Sequence, residues 1–171
     1  MAGLPGTGKT ALAEALAQRV GGVVLSKDKV RAALFPSGAI SYSGGQSDFC
    51  MSVILMAAQR IAADRSVPLI FLDGRTFSRS YHVKQVVRAA NTIGAGLSVL
   101  HLHCPESIAL ERIKKDRDRH PAKNRDPLLY FLVKSYFEPI SLPKLEVDTS
   151  RPLEECVAQC AEYLAAETQG H

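Results

Sequence analysis

Short apolar runs alternate along the chain with longer segments in which apolar residues recur every three to four positions. From Lys9 to about Val20 the chain is rich in Ala, Leu, Glu and Gln, with Leu12, Ala15 and Leu16 on one face. That spacing predicts a helix, stopped by Gly21-Gly22. The run Val23-Val24-Leu25 predicts a strand, which passes into the charged segment Ser26-Lys27-Asp28-Lys29-Val30-Arg31, a loop or the start of a helix. Phe35 to Ser47 carries Pro36, Gly38, Gly44 and Gly45 and reads as a loop. Ser47-Asp48 is placed to cap a helix reaching about Asp64, with Phe49, Val53, Met56 and Ala57 as its expected buried stripe.

Pro68 to Leu72 is almost continuously apolar and ends at Asp73, as expected for a strand covered on both faces. A helix from about Ser80 to Thr92 and a strand from Leu97 to His103 follow. Pro105 then opens a further helix that runs into a basic stretch. Lys144 to Val147 is a last short strand candidate, and Arg151-Pro152 introduces an amphipathic helix containing Leu153, Val157 and Leu164. Strands alternating with helices predict an α/β fold, a doubly wound three-layer sandwich with a mostly parallel sheet. With 171 residues, 46% of them hydrophobic, the chain is expected to form one domain over residues 1–171.

One segment adds chemistry to this pattern. Gly3-Leu4-Pro5-Gly6-Thr7-Gly8-Lys9-Thr10 fits GxxxxGK[ST] in full. Glycines let the backbone curl so that successive N–H groups face phosphate oxygens. Lys9 would neutralise the β- and γ-phosphates, and the Thr10 hydroxyl would ligate Mg²⁺ at the positive end of the following helix. Leu4, Pro5, Gly6, Thr7, Gly8, Lys9 and Thr10 are therefore the predicted nucleotide site, and the fold is expected to be that of a P-loop NTPase. Such a loop normally joins a buried strand to a helix, yet only Met1 and Ala2 precede Gly3. The first strand is expected to be truncated or missing, through a truncated or misassigned start.

Asp28 and Arg31 lie just beyond the second strand slot, on the edge where open α/β sheets hold ligands. At that spacing they form either a solvated helix pair or a site in which Asp28 takes a proton from a hydroxyl and Arg31 holds an anionic group. Together with the P-loop, the segment Leu25-Ser26-Lys27-Asp28-Lys29-Val30-Arg31 resembles the bacteriophage polynucleotide kinase group of P-loop kinases, which also includes zeta-toxin-like and chloramphenicol-phosphotransferase-like enzymes. The resemblance implies ATP and Mg²⁺ as cofactors, Asp28 as general base, and Arg31 orienting the acceptor and phosphoryl group. Asp73, in Phe71-Leu72-Asp73-Gly74-Arg75-Thr76, resembles the group's Asp-Thr-Asn element facing the acceptor or the hydrated Mg²⁺, though Gly74 and Arg75 depart from it. Asp73 and Arg75 are accordingly expected at the acceptor.

Between Arg112 and Arg125, Lys114, Lys115, Arg117, Arg119 and Lys123 stand against Asp116 and Asp118. This basic segment resembles the lid that closes over ATP in such kinases, placed at about 112–127. Arg117 first, then Arg112, is expected to meet the charge on the transferring phosphoryl. The remaining charges read as a solvated helix face.

Composition narrows the picture little further. A net charge of +4, from 21 basic and 17 acidic residues, is too mild to mark a nucleic-acid binder. Cys50, Cys104, Cys156 and Cys160 lack metal or disulfide-framework spacing and are expected to be reduced thiols of a cytoplasmic protein. No apolar run reaches the roughly 18 residues of a membrane span. Tyr42-Ser43-Gly44-Gly45-Gln46 looks superficially like a transporter-ATPase signature, but it lies too near the P-loop, no Glu follows Asp73, and the chain is too short. The Asn-Lys-x-Asp motif of GTPases and the Asp-Glu pair of AAA+ motors are both missing. His101 and His103 share a strand face and are expected to serve packing and hydrogen bonding rather than a metal.

These features predict an ATP-dependent phosphotransferase acting on a hydroxyl of a small molecule or a polynucleotide 5′ end. Nucleosides, sugars and antibiotics all remain open as acceptors. The alternative is a nucleotide-binding regulatory module, or a fragment of a larger protein, without transfer activity.

Overall fold

The structure is a computed structural model and describes residues 1–64, 67–116 and 126–169. Four parallel strands form its centre: β1 (Val23–Ser26), β2 (Ile70–Asp73), β3 (Leu100–His103) and β4 (Leu145–Asp148). β1 pairs with β2 from Val23↔Ile70 to Ser26↔Asp73, and β3 with β4 from Leu100↔Leu145 to His103↔Asp148. The expected first strand is a stub between the two pairs. Ala2 forms a parallel bridge to His101 through Ala2 N–H to Leu100 O (2.8 Å) and Leu102 N–H to Ala2 O (2.9 Å). On the other side the Met1 ammonium donates to Leu72 O at 3.3 Å and Gly3 N–H to Thr76 O at 3.1 Å. The order across the molecule is thus β1, β2, stub, β3, β4.

Helices cover both faces. α1 (Lys9–Val20) packs with α7 (Leu153–Gln169) on one side, where Leu12, Leu16, Phe71, Leu102, Val147 and Cys160 form a buried cluster. On the other side α3 (Gly44–Ala63) and α4 (Ser80–Thr92) bring Met51, Ile54 and Val86 against Ala2, Phe77 and Ile140. α2 (Lys27–Leu34) packs on α3, and α5 (Glu106–Asp116) packs on α6 (Pro127–Ser135) around Ala109, Ile113 and Tyr130. This is the expected three-layer α/β sandwich of a P-loop NTPase.

α1 and α4 have the predicted limits, and Gly21 closes α1 with a left-handed φ of 74°. α3 departs from expectation. It begins at Gly44, with Ser43 Oγ accepting from Gln46 N–H at 3.3 Å, so Ser47 and Asp48 lie inside the helix and their side chains are spent elsewhere. Its buried residues are Cys50, Met51 and Ile54, whereas Phe49 and Met56 are 51% and 60% exposed. The helix is apolar almost all round, so periodicity could not choose its inner face; the polar contacts of Ser47 and Asp48 orient it. α6 was not anticipated. Asp126 caps it by accepting from Leu129 N–H at 2.9 Å, with Pro127 at the first turn.

Candidate functional site

The carboxyl ends of the strands converge on one edge of the sheet, and each delivers a polar group there. The stub feeds directly into the P-loop, where Gly3, Gly6 and Gly8 have φ of 136°, 79° and 76°. A side chain at Gly3 would collide with the Leu102 carbonyl, and one at Gly6 with the Ala109 carbonyl. These glycines let the loop turn while seated tightly on β3 and α5. Gly8 caps α1 and has no side chain to bond the first-turn amides, a helix start suited to an anion.

Lys9 is only 6% exposed, and its ammonium donates to Gly3 O (2.9 Å) and Leu4 O (2.6 Å). Thr7 is buried; its hydroxyl donates to Leu4 O at 2.8 Å, and its carbonyl accepts from Thr149 Oγ1 at 3.1 Å. Pro5 and Gly6 are buried, while Leu4 packs on the α5–α6 cluster. Arg112, within α5, donates to Thr149 Oγ1 (3.2 Å) and Thr149 O (2.7 Å), which stations its guanidinium beside Gly8. The anticipated lid region therefore opens as the last turn of α5 and closes as the cap of α6. Arg117 lies outside the described residues.

Thr10 Oγ1 donates to Asp73 Oδ2 at 2.9 Å. Asp73 is 2% exposed, and its Oδ1 is buried without a partner among the described residues. An orphaned carboxylate oxygen beside a threonine hydroxyl, facing a phosphate loop, is the hard-oxygen donor set that suits Mg²⁺. Among the described residues no group of three His, Cys, Asp or Glu side chains could hold a metal by itself.

Across the edge, Ser26 caps α2, with Lys29 N–H reaching its Oγ at 3.5 Å. That cap sets Lys27, Asp28 and Arg31 on the first turns of the helix. Arg31 is 3% exposed; it donates to Asp28 Oδ1 at 2.7 Å and Ser47 Oγ at 2.8 Å, and lies over the Tyr42 ring at 5.2 Å. The pair is therefore interior, not a solvated helix face. Arg75 is buried and held by Asp48 and by Gln85 Oε1 (3.2 Å).

Thr10, Asp28, Arg31, Asp73 and Arg75 all line one cleft of about 400 Å³, together with Lys9. Sequence reasoning missed two of its walls. Lys27, the neighbour of Asp28, has its ammonium 3.6 Å from Asp28 Oδ1; burial pulls its pKa down, partly offset by Asp28. His82 is 8% exposed with Nδ1 unpartnered among the described residues, and burial, then the Arg75 charge, pushes its pKa down to about 4. Only their placement next to Asp28 and at the start of α4 could have flagged them.

His101 is used structurally, with Nδ1 2.8 Å from Glu146 Oε2 and its ring stacked on Phe137. All four cysteines are free thiols. No helix among the described residues is long and apolar enough to cross a membrane.

Comparisons with known proteins agree with this fold. No curated protein matches the sequence. A sugar kinase from Janibacter sp. HTCC2649 has a similar structure, with TM-score 0.67, 20% identity, and coverage of 95% of this chain and 91% of that one. A gluconokinase from Sinorhizobium meliloti 1021 gives 0.62 at 21% identity, covering 99% and 95%. APS kinase of Mycobacterium tuberculosis, solved with AMPPNP and APS, gives 0.66 at 15% identity, covering 96% and 94%. Residues 1–127 match the AAA_33 family, described as an AAA domain, and the chain belongs to that family.

Proposed function

We propose that this protein is a kinase that transfers the γ-phosphoryl group of ATP to a hydroxyl of a small acceptor seated beside Asp28. The carrying observation is that the Thr10–Asp73 pair and the Asp28–Arg31 pair line the same cleft. One end suits a metal-bound phosphate, and the other suits an acceptor with its proton receiver. The structural neighbours named for gluconate, sugars and APS favour a small acceptor over a polynucleotide end.

In this reading the P-loop amides and Lys9 hold the β- and γ-phosphates. Mg²⁺, held by Thr10 and Asp73, would screen the phosphate charge. Asp28 receives the acceptor's hydroxyl proton, and Arg31, bonded to Asp28 and Ser47, fixes that carboxylate on the acceptor side. Arg112 stands at the Gly8 side of the phosphates, and Arg117 is proposed to add charge from the lid.

The test is release of ADP and labelling of acceptors from γ-labelled ATP and Mg²⁺, screened over sugars, sugar acids, nucleosides, aminoglycosides and nucleic-acid ends. Asp28→Asn should cut transfer about 10²–10⁴-fold with ATP binding retained. Tight ATP binding with no acceptor labelled would instead favour a nucleotide-binding module.

A further inference from the structure

Two of the buried polar atoms that lack a partner among the described residues, Arg31 Nε and His82 Nδ1, belong to residues in the acceptor half of the cleft. Buried donors and acceptors are almost always satisfied in folded proteins, so two such atoms on residues of one wall point to a partner that the described residues do not supply. Charge adds direction. In this half Lys27, Arg31, Arg75 and Arg79 line the cleft. Asp28 faces Lys27 and Arg31, Asp48 holds Arg75, and Glu138 holds Arg79 at 3.2 Å. Among the described residues four cations thus meet three carboxylates, and the unmatched positive charge lies where Lys27 and Arg31 share Asp28. The side chains of Lys27, Asp28 and Arg31 are 13%, 14% and 3% exposed, so water screens little of that excess. On the phosphate side the opposite charges of Lys9 and Asp73 offset each other.

Resting on the kinase reading above, we propose that the acceptor is a small alcohol that also carries an anionic group, a carboxylate, sulfate or phosphate, held by Lys27 and Arg31, with a second hydroxyl bonded to His82 Nδ1. The transferred hydroxyl faces Asp28. The depressed pKa of Lys27 supports this: its ammonium is desolvated with only a shared carboxylate, the condition an incoming anion relieves. The cleft of about 400 Å³ also takes in Lys9 and Thr10, which leaves the acceptor half room for a compact molecule. His82 stays neutral at physiological pH, so the wall that meets the second hydroxyl adds no further charge.

The experiment compares matched acceptors that differ only in the anion: gluconate with glucitol, glycerate with glycerol, and thymidine 3′-monophosphate with thymidine. With γ-labelled ATP and Mg²⁺, kcat/KM should be at least about 100-fold higher for the anionic member of an accepted pair. Lys27→Met should raise KM for that acceptor and leave KM for ATP in place. Equal or better transfer to the neutral member overturns the proposal while leaving the kinase reading intact. Should no pair be phosphorylated, the kinase reading loses its acceptor, and binding decides the charge question separately. Calorimetric titration of gluconate and of inorganic sulfate into protein loaded with Mg²⁺ and AMPPNP should then show saturable binding that Lys27→Met abolishes. Absence of binding by both anions, or binding unaltered in Lys27→Met, overturns the proposal.

Discussion

Replacing Asp28 by Asn removes a carboxylate set between two cations, and its effect on stability can be worked from the distances. At an effective permittivity of about 20, the 2.7 Å contact to Arg31 and the 3.6 Å contact to Lys27 amount to about 6 and about 5 kcal/mol of gross attraction. Much of this offsets the dehydration of the three charges, so the net loss is expected at about 3–5 kcal/mol, the range for breaking a buried pair. Arg31→Met is the informative control. It removes one cation together with that cation's own dehydration, and Asp28 keeps Lys27. A loss of about 1–3 kcal/mol is expected there, chiefly the bonds to Asp28 and Ser47. The carboxylate variant should therefore melt about 4–8 °C below the guanidinium variant, taking about 2–4 °C per kcal/mol for a chain of this size. Urea unfolding of the two variants and wild type, without nucleotide, measures the order directly. The Lys27 pKa adds a pH signature. Its folded value lies below the ordinary 10.5, so the unfolded chain binds more protons in that interval and stability rises with pH. Losing Asp28 widens the interval, so the deficit of Asp28→Asn should narrow as pH rises. Equal midpoints for the two variants, or a lower one for Arg31→Met, refute the reasoning.

His82 provides a second pH dependence. With its folded pKa near 4 against an ordinary 6.5, stability is undiminished above 6.5 and falls as pH drops, the loss being complete below about 4. The total approaches about 3 kcal/mol, and His82→Gln should flatten the curve measured by denaturant titration. Gly6→Ala forces a side chain into a left-handed backbone against the Ala109 carbonyl, so about 1–3 kcal/mol of strain and loss of nucleotide-induced thermal stabilisation are expected in melts with and without Mg²⁺ and ATP. Asp73→Asn keeps the shape beside Thr10 but removes the charged oxygen offered to the metal. Nucleotide binding should lose most of its Mg²⁺ dependence in calorimetry, and an unchanged dependence would remove Asp73 from the metal site.

The parts of this molecule that were legible in its sequence are those in which local chemistry and tertiary structure agree. Lys9 to Val20 has helix formers, a single inward stripe and a glycine stop, and α1 ends where those signals place it. The P-loop is a backbone motif whose glycines state their own geometry. Asp28 and Arg31 could be named, but their spacing fits both a surface pair and an interior one; only Ser47, sixteen positions on and bonded to Arg31, distinguishes the two. The stripe of α3 was misplaced because Phe49 and Met56 are as apolar as the residues that turn inward. α6 escaped notice because it follows a charged stretch that masks its Asp126-Pro127 start. Lys27, His82 and Thr149 carry no motif. Their roles arise from strand ends that meet only when the sheet is assembled.

The position of the Lys9 ammonium has a consequence for how nucleotide affinity is divided. Lys9 is already dehydrated, held by the carbonyls of Gly3 and Leu4, before any phosphate arrives. Stripping water from that cation is therefore a cost of folding and not of binding, and the phosphate meets a charge at full strength in a preset position. Affinity for the triphosphate is in this sense drawn from conformational stability. Lys9→Met should bind nucleotide poorly and yet resist unfolding at least as well as the natural chain.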